Sequence, residues 1–320
     1  MSVDRVTPYT LRVAAFDHGF FANFVCVMSH LVATLDKEGC KAVTVDWHAP
    51  ATQREFPYVD PTQGNLWDLL FEPLDFPDAP ATCVTTQLWG EMATTGPWAY
   101  RTYKSGSGWR ETYHAAYRRH VRLRESMQLH VDELDRTLLQ GARVVGVHIR
   151  HPDKGELPRH QATVEDAVAM ARQELVSRRD RVFLATDHVE AVERFREAFG
   201  PRLVLQEGVH RRSGSDRQAH YDVVSPSSRL AVEVLTDALL LSRCAVLVHQ
   251  VSNLATTVGF LNPELKMRYC ESRRDHVKYR VLFGPPIGPV LASAPYRRIF
   301  GRVGPVPDDV PEGLFVAPVR

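Results

Sequence analysis

The stretch RVVGVHIRHPDKGELPRH, residues 143–160, passes from an uninterrupted apolar and β-branched segment directly into a dense group of ionisable side chains. Continuous apolar runs of strand length are typical of parallel sheets that helices cover on both faces. Such sheets bind their ligands beside the carboxyl ends of the strands. The charges that follow Ile149 therefore indicate a functional loop, with an ordinary solvated loop as the alternative.

Two more segments of the same kind follow along the chain, RVFLAT at 181–186 and AVLVHQ at 245–250. Apolar residues recur with helical spacing behind Thr163 and again behind Asp187, and both residues are expected helix caps. This alternation of strand, loop and helix predicts an α/β fold with a doubly wound parallel sheet.

The first half of the chain is similar in outline but less regular. LRVAAF at 11–16, a long apolar helix and KAVTVDW at 41–47 predict a second Rossmann-like unit. Residues 50–108 are rich in Pro, Gly, Thr and aromatic residues, which is typical of an insertion, and residues 111–139 predict one long helix. The expected domains are an N-terminal Rossmann-like domain at 1–140, a C-terminal Rossmann-like domain at 141–290 and a tail at 291–320.

Composition narrows the class of partner. The chain has 320 residues, with 39 Lys and Arg against 38 Asp and Glu, so its overall charge does not favour binding to nucleic acid or a membrane surface. No apolar run is long enough to span a bilayer, and no apolar signal core begins the sequence. The five cysteines never form a C-x-x-C pair and mostly lie in apolar runs, so we expect buried thiols in a reducing cytoplasm. A cytoplasmic protein without an integral membrane segment is the expectation.

Two other strand ends carry polar groups. In LATDH, Thr186 and Asp187 close the second strand, where Asp187 could serve only as a cap. In HQVSN, Ser252 and Asn253 open a helix, and the backbone N–H groups and hydroxyls at a helix start bind phosphate well. An ordinary serine cap is the alternative for Ser252.

One carboxylate lies where an apolar side chain is expected. Asp237 shares a helix stripe with Leu230, Val234 and Leu241, so it should be buried and should face a fixed hydrogen-bond donor. A protein backbone group would satisfy it. Guanine, which presents its N1–H and N2–H groups side by side, would satisfy it equally well. An arginine at one strand end, a phosphate-binding helix start and this carboxylate together fit a nucleoside diphosphate.

These segments also resemble a known family. GVHIRHPDKGELPRH, LATD, LTDALLLSRC and VHQVSN, in this order over most of residues 140–262, resemble the α1,6-fucosyltransferase superfamily of nodulation-type and core-fucosylation-type enzymes. The resemblance implies a GT-B-like fold, with two Rossmann-like domains facing a central cleft. The N-terminal domain would then take the acceptor and the C-terminal domain the nucleotide sugar.

The resemblance also implies roles for individual residues. His148 and Arg150 match an H-x-R motif whose Arg holds the β-phosphate of GDP-fucose, while Asp237 matches a guanine contact and Ser252 a phosphate contact. His151 stands where the animal enzymes have a second Arg and the nodulation type has His. The expected donor-binding residues are His148, Arg150, His151, Thr186, Asp187, Asp237, Ser252 and Asn253. The expected catalytic residues are Arg150, Asp153, Lys154 and Glu156, with Glu156 as the first choice for the base and Asp153 as the second.

The implied activity is an inverting, metal-independent transfer of a sugar, fucose by resemblance, from a GDP-sugar to a glycan or small-molecule hydroxyl acceptor. No cofactor is expected, and the sequence has no D-x-D motif. Two other classes stay open. A sugar-nucleotide or glycan binder on the same scaffold would keep the donor contacts without a usable base. A histidine phosphatase would use the RH pair, although Pro152 stands where its motif has Gly.

Overall fold

The computed structural model describes residues 7–16, 18–37, 39–48, 58–59, 62–86, 108–150, 162–211, 213, 227–250 and 252–270. Two parallel sheets organise these residues, one of three strands and one of five.

The N-terminal sheet consists of β1 (Tyr9–Ala14), β2 (Cys40–Asp46) and β3 (Cys83–Thr86) in the order β2-β1-β3. Helix α1 (Phe20–Ala33) joins β1 to β2, and the short helix α2 (Leu66–Leu70) follows β2. Nearly every residue of α1 is buried, because α1 packs against this sheet and against helices of the C-terminal part.

The C-terminal sheet has the order β6-β5-β4-β7-β8, with every pair of strands parallel. In chain order, the C-terminal part that contains this sheet has α3 (Gly108–His120), α4 (Glu125–Leu134), a π-helical turn (Asp135–Leu139), β4 (Val144–Ile149), α5 (Val164–Glu174), β5 (Arg181–Thr186), α6 (Val189–Phe199), a 3₁₀ turn (Gly200–Arg202), β6 (Leu203–Val204), α7 (Ser228–Ser242), β7 (Val246–His249), α8 (Asn253–Leu261) and β8 (Lys266–Tyr269).

The order of strands reverses at β4, which has β5 on one side and β7 on the other. This switch point opens a crevice at the carboxyl ends of β4 and β7, where His148 is in register with His249. Every residue of β4 is buried. Gly146 permits this packing, since a Cβ at that position would lie only 2.9 Å from the Leu241 side chain of α7.

Two helices that precede β4 replace the single helix predicted over 111–139. Helix α3 ends at His120 and α4 begins at Glu125. The backbone between them pairs with the end of α2 instead, since Glu72 N–H donates to Arg122 O and Arg124 N–H donates to Leu70 O. These bonds take up backbone groups that a continuous helix would use. The spacing of hydrophobic residues does not reveal them.

The stretch predicted as an insertion contributes a strand to the N-terminal sheet. Three of the four residues of β3 are exposed, and two of the four are threonine, so the strand lacks the apolar run that identifies the others. Cys83 in β3 is also exposed, whereas the other four cysteines are buried as expected.

The two sheets are joined through α8. Arg110 of α3 donates three hydrogen bonds of 2.8 Å to the carbonyls of Gly259, Asn262 and Leu265, at the carboxyl end of α8. Phe24 of α1 stacks on Phe260. These contacts hold the carboxyl end of α8, whereas its amino end lies at the crevice. Within the described ranges, no helix combines the length and the apolar character that crossing a bilayer requires.

Candidate functional site

The switch-point crevice brings the ends of β4 and β7 together through a histidine and a serine. His148 is 8% exposed, and its Nδ1 lies 3.2 Å from the Ser252 hydroxyl. Burial lowers the pKa of His148 to about 3, although the negative charge of Asp187 acts in the opposite direction. His148 is therefore neutral at neutral pH, and it can orient the Ser252 hydroxyl without adding charge.

Ser252 is the N-cap of α8, as its position before the helix predicts. Its Oγ accepts the backbone N–H of Ala255 at 3.0 Å. Like any helix start, α8 leaves its first N–H groups without a carbonyl partner in the helix, and these include Asn253. Such N–H groups and the positive end of the helix dipole favour a bound anion.

Arg150 follows the last residue of β4 and is anchored through its backbone. Its N–H donates to Gln250 Oε1 at 3.2 Å, and Gln250 Nε2 donates to Ala162 O at 2.8 Å. The positive charge of Arg150 also acts on His148, which contacts Ser252. Four expected residues that follow it, His151, Asp153, Lys154 and Glu156, lie outside the described residues.

Thr186 and Asp187 follow β5 beside β4. Helix α6 has His188 as its N-cap, so the prediction that Asp187 caps this helix is wrong. The reason is local: the His188 N–H donates to the Thr186 hydroxyl at 3.2 Å, and this turn delays the start of the helix by one residue. The Asp187 carboxylate instead acts electrostatically on His148, one strand away.

Asp237 of α7 is 7% exposed, as its place on the apolar stripe predicts. Burial raises its pKa to about 7, the positive charge of Arg211 lowers it, and Glu233 raises it further. A carboxylate in such surroundings gains much from a ligand that donates hydrogen bonds to it.

The sequence patterns did not identify Arg211, whose positive charge acts on Asp237, or Gln206, which bonds to Arg211. Arg211 Nη2 donates to the carbonyl of Gln206 at 3.0 Å. Within the described part of the chain, neither the buried Nε of Arg211 nor the buried Oε1 of Gln206 has a hydrogen-bond partner. Both follow β6, whose two residues are too few to give a strand signal, so nothing in the sequence marked them as neighbours of a strand end.

No set of three or more His, Cys, Asp or Glu side chains in the described ranges is arranged to hold a metal ion. The anion-binding features of the crevice are instead a helix start and an arginine strand end, beside a parallel-sheet switch point. The structure is therefore an α/β protein built on two parallel sheets, and folds of this kind bind ligands beside the switch point.

One family model matches part of the chain. Residues 109–259 match the family described as Nodulation protein Z (NodZ). This segment contains β4, β7 and most of α8, and hence the whole described crevice. This match covers just under half of the chain, and it agrees with the fucosyltransferase resemblance of the motifs and with the expectation of an enzyme. The comparison with curated proteins found no match.

The chain is also similar to solved structures. The structure of NodZ alpha-1,6-fucosyltransferase co-crystallised with GDP is 14% identical, covers 80% of this chain and 93% of its own, and has a TM-score of 0.50. NodZ from Bradyrhizobium is 15% identical, with 80% and 94% covered and a TM-score of 0.49. A mutant of Arabidopsis thaliana FUT1 in complex with GDP is 12% identical, with 83% and 72% covered and a TM-score of 0.45. The predicted GT-B-like α/β fold is confirmed.

Proposed function

We propose that the chain is an inverting, metal-independent glycosyltransferase that moves fucose from GDP-fucose to a hydroxyl group of a glycan or small molecule. One observation supports this proposal: the Ser252-capped start of α8 and the anchored strand end at Arg150 both lie at the switch point, where they would bind an anion. The match of residues 109–259 to the NodZ family supports the choice of donor, since a NodZ was co-crystallised with GDP.

The chemistry requires such a site. When the bond between the sugar and the diphosphate breaks, negative charge develops on the leaving phosphate oxygen. The Arg150 guanidinium and the first N–H groups of α8 would stabilise that charge in the transition state. His148, which is neutral, would keep the Ser252 hydroxyl in place without competing for the phosphate as a second cation.

Inversion requires a base on the face of the sugar opposite the leaving group. This base removes the proton of the acceptor hydroxyl while the oxygen attacks the anomeric carbon. Glu156 is our first choice and Asp153 our second, with Lys154 between them in the sequence. These residues lie outside the described ones, so their assignment rests on the family resemblance.

The nucleotide base would occupy the surroundings of Asp237. Guanine donates from N1–H and N2–H, which suits a buried carboxylate, and it accepts at O6, which suits the buried Nε–H of Arg211. Uracil and adenine lack this combination of donors and acceptors. The pocket therefore favours GDP-sugars over UDP-sugars and ADP-sugars.

We expect GDP to stabilise the protein more than UDP or ADP does, and to the same extent in EDTA. A ligand at a hundredfold excess over its Kd stabilises the folded state by about 2.7 kcal/mol. The measurement is the Tm with each nucleotide, with and without chelator. Equal shifts for all three nucleotides would contradict guanine recognition, and a loss of the GDP shift in EDTA would contradict metal independence. Incubation with GDP-fucose then separates an enzyme, which releases GDP as it transfers fucose to an acceptor hydroxyl or to water, from a binder, which does not.

We expect Asp237→Asn to weaken GDP binding about tenfold or more, because the amide keeps the shape of the side chain but loses charge-assisted acceptance from guanine. Titration calorimetry with GDP measures the effect. UDP, which does not present the guanine donors, serves as the control ligand and should bind both proteins alike. A variant that binds GDP normally would show that Asp237 is purely structural.

The same substitution should stabilise the ligand-free protein at alkaline pH. The pKa of Asp237 in the folded state, about 7, lies above its ordinary value of 3.8, so the folded protein holds this proton more tightly than the unfolded chain does. The contribution of Asp237 to stability is therefore complete below about pH 4 and is lost as the pH rises towards about 7. Tm measurements at about pH 5 and about pH 8 should show that raising the pH lowers the Tm of the Asp237→Asn variant less than the Tm of the wild type.

A further inference from the structure

We propose that Gln206 is a specificity-determining residue for the donor nucleotide, because its side-chain oxygen accepts the guanine N2–H that Asp237 leaves unpaired. This inference rests on the proposed function, in which guanine occupies the surroundings of Asp237. It deepens that function by assigning a residue through which the pocket prefers guanine to hypoxanthine, the base that differs from guanine only in lacking the 2-amino group.

Gln206 and Arg211 lie at the two ends of a short loop, residues 206–211, that follows β6 at the edge of the C-terminal sheet. Arg211 Nη2 donates to the backbone carbonyl of Gln206 at 3.0 Å. This bond holds the two ends of the loop together, and it does not use the side chain of Gln206.

The loop is docked on the face of α7 that carries Asp237. The backbone N–H of His210 donates to Glu233 Oε2 at 3.1 Å, and Arg229 Nη2 donates to the carbonyl of Gly208 at 2.8 Å. Arg229, Glu233 and Asp237 follow one another at intervals of four residues, so they share one face of the helix. The loop after β6 therefore runs beside this face.

The side chain of Gln206 offers an acceptor that the described protein does not use. It is 6% exposed, and its buried Oε1 has no hydrogen-bond partner within the described ranges. Native structures seldom keep a buried polar atom without a partner, because its desolvation is costly. Although burial raises the pKa of Asp237, the positive charge of Arg211 acts to lower it, which places the other end of the loop near this carboxylate.

Bound guanine requires an acceptor of this kind. A carboxylate accepts N1–H with one oxygen and one N2–H with the other, so the second N2–H needs a further partner. Glu233, one helical turn before Asp237, is occupied, since its oxygens accept from the His210 N–H and from Arg229 Nε at 2.8 Å. Gln206 Oε1 lies on the adjacent loop and supplies the missing acceptor.

Gln206→Met tests this assignment with GDP and inosine diphosphate (IDP), whose bases differ only in the 2-amino group. We expect the Kd for GDP to rise about tenfold, because the second N2–H loses its acceptor, and the Kd for IDP to change by less than about threefold. Titration calorimetry gives both constants. The ligand-free variant should keep the wild-type Tm, since Oε1 has no partner in the described protein. If Gln206→Met fails to fold, Gln206→Asn, whose amide is one methylene shorter, should lose the same preference.

Thr236→Val is the matched control. The buried Oγ1 of Thr236 also lacks a partner in the ranges that the structure describes, but consecutive residues of a helix do not share a face, so Thr236 should not contact the base that Asp237 binds. This variant should keep both Kd values.

An unchanged Kd for GDP in Gln206→Met, or equal losses for GDP and IDP, would overturn the specificity role, because loosening of the loop alone weakens both nucleotides alike. An equal loss of the preference for GDP over IDP in Thr236→Val would also overturn it. If the wild type binds GDP no more tightly than UDP, the proposed choice of donor fails and this inference fails with it. If the wild type prefers GDP and Gln206→Met keeps the full preference over IDP, only the role of Gln206 is wrong.

Discussion

Arg150→Lys will lower the turnover of GDP-fucose by about 10²-fold or more and will leave the free energy of unfolding almost unchanged. The lysine keeps the positive charge but loses the planar fork that can engage two phosphate oxygens together. The fold should tolerate the change because lysine retains the backbone N–H that donates to Gln250 Oε1. The kcat for GDP release and the urea midpoint, measured on the same preparations, check both halves of the expectation.

Arg143→Lys provides the control on the same strand. Arg143 precedes β4 at its other end and donates to the carboxylate of Asp180 and to the carbonyl of Glu174, each at 2.9 Å. These contacts are structural, so this variant should lose stability and keep its kcat. If Arg150→Lys turns over GDP-fucose at the wild-type rate, the guanidinium does not clamp the leaving diphosphate. If both variants lose turnover alike, the loss has a structural origin.

The C-terminal sheet could be predicted because its longer strands are continuous apolar runs and its helices have recognisable starts. The cap at Thr163 forms the expected box with Asp166. The N-terminal sheet was only partly predictable, since β3 is short, polar and exposed. The break after His120 was invisible because backbone bonds to α2, which sequence periodicity does not report, interrupt the helix.

In the candidate site, too, some residues have a local sequence signal and others do not. A cap, a strand end or a carboxylate on an apolar stripe has a local signature, so Ser252 could be predicted at a helix start and Asp237 as a buried carboxylate. Gln250 and Arg211 act through partners that no local pattern identifies, since these contacts form only when separate segments meet in the fold. For Asp187 the local signal was misleading: its residue type favours a helix cap, but the cap is His188, one position later.

Both candidate bases lie in the segment after Arg150, and one substitution tests directly which of them acts. We expect Glu156→Gln to lower transfer by about 10²- to 10⁴-fold, the usual contribution of a general base, while the Kd for GDP stays near that of the wild type. The reason is that the base acts on the acceptor hydroxyl, whereas Arg150 and the start of α8 hold the nucleotide. GDP release from GDP-fucose gives the rate, and calorimetry gives the affinity.

Asp153→Asn is the comparison that separates the two candidate carboxylates, because both stand in the same segment and both substitutions remove one negative charge. If Glu156 is the base, Asp153→Asn retains substantial turnover and Glu156→Gln does not. The reverse pattern would assign the base to Asp153. Loss of turnover together with GDP affinity in Glu156→Gln would mean that this carboxylate supports the donor site, because removal of a base alone leaves the ground-state contacts to the diphosphate in place.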